Sequence, residues 1–98
     1  MIKKTPIKGS DKVSVTFETT IRPEAETLSL VGDFNGWDPA AHPMKQRKDG
    51  VWFITLRLPK KRDWQYRFVA DGSEWLTDQE NEATAPNPYG GVNAVVLT

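Results

Sequence analysis

The stretch Val13-Ser14-Val15-Thr16-Phe17-Glu18-Thr19-Thr20-Ile21 decides the fold. Val13, Val15, Phe17, Thr19 and Ile21 share one parity, and Ser14, Thr16, Glu18 and Thr20 fall between them. Successive side chains of a strand point to opposite faces, so this pattern predicts a strand with one buried face. Arg22-Pro23-Glu24-Ala25-Glu26 breaks it. A second strand is expected over about 27–34, ending at the Asn35-Gly36 turn signal. Two prolines make a loop of Asp38-Pro39-Ala40-Ala41-His42-Pro43.

The same period returns further along. After the Asp49-Gly50 turn, Trp52, Ile54, Leu56 and Leu58 share one face and Phe53, Thr55 and Arg57 the other, until Pro59. Lys60-Lys61-Arg62-Asp63 is a charged, solvated connector. A fourth strand sets Trp64, Tyr66 and Phe68 against Gln65, Arg67 and Val69, and Asp71-Gly72 is the next turn. Residues 73–91 are polar, with Pro86, Pro88 and Gly90-Gly91, and read as a long excursion of the kind that often carries function. A last strand covers 93–97. Short strands, close turn signals and no helical period predict an all-β sandwich or small barrel. On the N-terminal side, residues 1–11 are charged with no apolar run behind them, and are expected to be a flexible, solvated lead-in. Residues 12–98 then form one domain.

The composition narrows the function. Without cysteine, neither a disulfide framework nor a thiolate metal site is available. That is compatible with a reducing compartment, and the expected location is the cytoplasm. Thirteen basic residues balance thirteen acidic ones, so no overall field draws the domain to nucleic acid or to an anionic membrane. No stretch approaches the ~20 apolar residues of a membrane span.

Catalytic constellations are absent from the pattern. The single histidine, His42, lies in a Pro-flanked loop with no serine or cysteine motif to serve. The acids are scattered over turns, where they serve local backbone N–H groups, and no phosphate loop, metal-spaced cluster or dinucleotide fingerprint appears. No catalytic residue, metal or cofactor is expected.

The aromatics divide into two groups. Trp52, Tyr66 and Phe68 follow the parity of the aliphatic positions and are assigned to the core, with Trp64 half-buried at the rim. Trp37 and Trp75 each lie just past a strand and its Gly-containing turn, outside that alternation. Each is either a lid folded over the end of the sandwich or an exposed stacking surface. One face of a pyranose presents several C–H groups that pack flat on an indole while its hydroxyls seek polar partners. Arg67, Gln65 and Asn93 share the outward face and supply such partners.

Four segments in order carry a resemblance: Leu30-Val31-Gly32-Asp33-Phe34-Asn35-Gly36-Trp37; Asp49-Gly50-Val51-Trp52; Trp64-Gln65-Tyr66-Arg67-Phe68-Val69-Ala70-Asp71-Gly72; and Gly91-Val92-Asn93-Ala94-Val95-Val96. Over 13–97 the chain resembles the glycogen-binding, or early-set, carbohydrate-binding modules, carbohydrate-binding module 48. They occur in the β subunit of AMP-activated protein kinase and ahead of the barrel of branching and debranching enzymes. The resemblance implies an immunoglobulin-like β-sandwich and, in the glycogen-binding members, an α-1,4-glucan ligand. It implies Trp37 and Trp75 as stacking surfaces, Arg67 in place of a sugar-bonding lysine, and Asn93 as a sugar-bonding asparagine. Three departures stand out. Ser73 and Glu74 together precede Trp75 where the kinase members have one residue, and Gly91 replaces a threonine that supplies a hydroxyl. Tyr89 replaces a leucine that threads a ring of sugars, and either enlarges the stacking surface, as a further site residue, or caps the loop. Early-set domains also serve as packing modules. The alternative is therefore an accessory or regulatory domain docked on a glycogen- or starch-active enzyme, with no working sugar site.

Overall fold

The computed structural model describes residues 1–80 and 83–98, which form nine strands and no helix. They are β1 (Ile2–Pro6), β2 (Lys12–Thr19), β3 (Leu28–Gly32), β4 (Lys45–Gln46), β5 (Trp52–Pro59), β6 (Asp63–Ala70), β7 (Glu74–Leu76), β8 (Ala83–Pro86) and β9 (Val92–Leu97). One sheet runs β1-β2-β5-β4 and the other β3-β6-β9-β8, with β7 paired to β6. Every pairing is antiparallel. The two sheets make an all-β, immunoglobulin-like sandwich.

Register turns the alternation into a core. Val13, Val15 and Phe17 of β2 face Leu58, Leu56 and Ile54 of β5, so two apolar parities lie on the same side. In the second sheet Leu30 pairs with Phe68 and Tyr66 with Ala94, again matching apolar to apolar. Between the sheets Phe17 meets Tyr66 edge-on at 5.1 Å. The polar handles of the buried aromatics are satisfied, as burial requires. The Tyr66 hydroxyl donates to Asp78 Oδ2 at 2.6 Å, and the Trp52 indole N–H donates to the Arg22 carbonyl at 3.1 Å. Trp52, Tyr66 and Phe68 are buried and Trp64 is half-buried, as the parity predicted.

Four short strands differ from the sequence reading. The segment expected as a solvated lead-in supplies β1, in which Ile2 pairs with Phe17 and Pro6 with Val13. Lys3 and Lys4 hide it from any alternation test, because an edge strand is guarded by charge and proline rather than by apolar periodicity. β4 has only two residues and lies past the loop expected from Pro39 and Pro43. The excursion over 73–91 contains β7 and β8, and residues 81 and 82 of it lie outside the described residues. Glu18 also departs from its parity. It is buried, held by Arg47 and, at 3.1 Å, by Lys3.

Candidate functional site

The outer face of the β3-β6-β9-β8 sheet and the loops at its edge form a depression of about 720 Å³. All six residues selected from the sequence line it: Trp37, Gln65, Arg67, Trp75, Tyr89 and Asn93. Gln65 and Arg67 arrive by strand parity on β6. Gln65 pairs with Val95, two residues from Asn93, so Asn93 projects to the same side. Val69 pairs with Trp75, which sets the Trp75 side chain on the face shared by Val69 and Arg67.

Trp37 owes its place to the turn after β3. Its backbone φ is +61°, a conformation that costs a bulky residue energy and persists only where its surroundings hold it. Here the Trp37 N–H donates to the Gly32 carbonyl and to Asn35 Oδ1, both at 3.1 Å. The indole N–H donates to Asp33 Oδ1 at 3.2 Å, while Asp33 Oδ2 accepts the Gln65 backbone N–H at 2.8 Å. Trp37 is half-buried and stands apart from the core cluster, so it is not the lid on the sandwich. Phe34 fills that position, 5.9 Å from Phe17 and 6.2 Å from both Trp64 and His42. His42 serves the same turn, its Nδ1 lying 2.8 Å from Asn35 Nδ2.

Trp75 is 41% exposed. The two residues before it complete a hairpin in which Asp71 and Gly72 adopt positive φ and Glu74 pairs with Ala70. Asp71 Oδ1 accepts the backbone N–H groups of Glu26 and Thr27, at 2.9 and 3.1 Å, tying the hairpin to the β2–β3 loop. Arg67 reaches Trp75 twice: Nη2 donates to its carbonyl at 3.3 Å, and the guanidinium lies 5.9 Å from the indole centroid. The Arg67 Nε–H is buried without a partner among the described residues.

Between these aromatics lies a row of amides. Asn93 Nδ2 donates to Gln65 Oε1 at 3.0 Å, and Asn87 Nδ2 donates to Asn93 Oδ1 at 3.4 Å. Asn87 Oδ1 in turn accepts from the Tyr89 and Gly91 N–H groups, at 2.9 and 3.1 Å. Gly91 leaves room for this amide, because a Cβ there would stand 3.2 Å from Asn87 Nδ2. Tyr89, at the tip of the β8–β9 turn, is 94% exposed.

Asp33, Asn87 and Pro88 complete the lining, and sequence reasoning assigned none of them to the site. Asp33 lay inside a quoted segment and within the strand expected over about 27–34, whereas β3 ends at Gly32 and Asp33 belongs to the turn. Asn87 sat in the polar excursion, between two prolines. Arg67 is the cation and Asp33 the carboxylate among the lining residues. Among the described residues no group of three His, Cys, Asp or Glu side chains is arranged to hold a metal ion.

The chain is similar to the 1,4-alpha-glucan branching enzyme GlgB 2 of Xanthomonas campestris pv. campestris (strain 8004), 44% identical over 52 residues. That match covers 51% of this chain and 7% of the enzyme. It is similar to the branching enzyme GlgB of Prochlorococcus marinus (strain MIT 9515), 34% identical over 73 residues, or 74% of this chain and 9% of the enzyme. GlgB of Photobacterium profundum is 39% identical over 62 residues, covering 62% and 8% respectively. The chain thus spans under a tenth of the length of these relatives. The model of the family described as carbohydrate-binding module 48 (isoamylase N-terminal domain) matches residues 10–90. The chain belongs to the carbohydrate-binding module 48 family.

Proposed function

We propose that this domain binds α-1,4-glucan chains without catalysing a reaction. The observation that carries this reading is the meeting of Trp37, Trp75 and Tyr89 with Arg67, Gln65 and Asn93 around one open depression. Apolar ring faces suit the C–H faces of successive glucose units, and the amides and guanidinium suit their hydroxyls. Hydrolysis of a glycosidic bond needs two carboxylates across a cleft. The carboxylate that lines this one, Asp33, spends its oxygens on Trp37 and Gln65.

By analogy with base stacking, each sugar stack contributes about 1–3 kcal/mol, which for a shallow surface gives a Kd between roughly micromolar and millimolar. The experiment is a titration with maltohexaose and cellohexaose, followed by tryptophan fluorescence. Maltohexaose is expected to bind more tightly. Equal or tighter binding of cellohexaose overturns the α-glucan assignment.

A second reading, docking on a glucan-active enzyme, draws support from the family, described as an isoamylase N-terminal domain, and from the branching enzymes to which the chain is similar. It predicts that Trp37→Ala and Trp75→Ala leave sugar affinity untouched.

A further inference from the structure

Arg22 and Glu74 form a two-pronged ion pair. Nε donates to Oε1 at 2.8 Å and Nη2 to Oε2 at 3.0 Å, between residues 52 positions apart in the chain. Neither residue lines the depression. Glu74 immediately precedes Trp75 in β7, a strand of three residues. So short a strand has few hydrogen bonds of its own and belongs to the easily opened part of a fold. Arg22 is anchored independently: its φ is +54°, and its carbonyl accepts the indole N–H of the buried Trp52. On the opposite side Arg67 holds the Trp75 carbonyl.

We propose that the Arg22–Glu74 pair is a clamp that sets the orientation of the Trp75 indole, so that Arg22 is a positioning residue for sugar binding. The clamp stands on its own geometry, whereas its effect on affinity rests on the function proposed above. A bidentate guanidinium–carboxylate pair fixes direction as well as distance, which a single hydrogen bond does not. The pair runs from the rigid core, through Trp52 and Arg22, to the residue next to the indole. Exposed ion pairs contribute little to global stability. The expected mark of this one is therefore a disturbed Trp75 in a protein that melts almost normally.

The test uses Glu74→Gln, Arg22→Gln, Arg22→Lys and the reversed pair Arg22→Glu/Glu74→Arg. In ligand-free, ¹⁵N-labelled protein the Trp75 indole N–H resonance, assigned by its loss in Trp75→Phe, is expected to move or broaden in Glu74→Gln and Arg22→Gln. The Trp64 resonance is expected to stay. Arg22→Lys keeps the charge but not the fork and should restore the resonance only in part, and the reversed pair should restore it further. Maltoheptaose Kd is expected to rise about two- to fivefold in Glu74→Gln and Arg22→Gln, within the range of exposed pairs, and to recover in the reversed pair. An unmoved Trp75 resonance in folded Glu74→Gln overturns the clamp, and an unchanged Kd beside a moved resonance overturns the role of Arg22 in sugar binding. If the unaltered domain binds no maltoheptaose, the glucan reading fails, and the indole resonance still decides the clamp.

Discussion

Asp33 stands between Trp37 and β6, with Oδ1 on the indole N–H at 3.2 Å and Oδ2 on the Gln65 backbone N–H at 2.8 Å. One carboxylate thus holds an aromatic surface in fixed relation to the strand that carries Gln65 and Arg67. Asp33→Ala removes both bonds. At about 1 kcal/mol for each hydrogen bond, maltohexaose affinity is expected to fall roughly five- to thirtyfold, with an unchanged circular dichroism spectrum. Unchanged affinity would show that Trp37 needs no such support.

Site and core tryptophans are expected to separate cleanly. Trp75→Ala and Trp37→Ala each remove an exposed or half-exposed ring from the depression and should weaken glucan binding while the protein melts nearly as before. Trp52→Ala empties a core position and should cost about 3–5 kcal/mol of stability, with affinity kept by whatever remains folded. Denaturant melts beside a titration check all three. A Trp37→Ala variant that unfolds as readily as Trp52→Ala contradicts the placement of Trp37 outside the core.

Gly32 is required by space rather than by backbone angle. A Cβ at this position would lie 2.6 Å from the Gln65 carbonyl oxygen and 2.8 Å from the Phe34 ring. Gly32→Ala should therefore push β3 from β6 and lower stability by about 1–3 kcal/mol, the usual cost of overpacking. An unchanged Tm would mean that the strands have more room than their register implies.

Acid should weaken the fold through Glu18. Hydrogen bonds from Arg47 and then Lys3 hold its carboxyl below the ordinary value of 4.5. A depressed folded-state pKa stabilises the protein above the unfolded pKa, and the gain is lost as pH falls through the folded value. The Tm of the unaltered protein should drop between about pH 5 and pH 3. Glu18→Gln should start lower at neutral pH and drop less. Parallel melting curves for the two proteins across that range would remove Glu18 from the account.

Legibility in the sequence followed the physics of each element. β2, β5 and β6 are eight residues each, long enough for a period of two to show, and their buried aromatics fell on the expected parity. β1, β4, β7 and β8 are short edge or hairpin strands whose partners, not their own side chains, define them. In the site, Gln65, Arg67 and Asn93 could be grouped because parity alone puts them on one face. Trp37 and Trp75 stood out by breaking the alternation. Asp33 and Asn87 gave no such sign, since a turn carboxylate or amide looks the same whether it serves the backbone, a ligand or both. The pairing of Arg22 with Glu74 spans 52 positions and exists only once β7 folds back along β6.

The lining of the depression includes no lysine. Amine-directed coupling chemistry therefore has no attachment point within it. Domains joined to a solid support through their lysines would keep the aromatic surface turned to the liquid phase. On the proposed function, such a resin would retain linear maltodextrins passing over it and release them to competing free sugar at unchanged salt, because nothing on the captured chain is ionic.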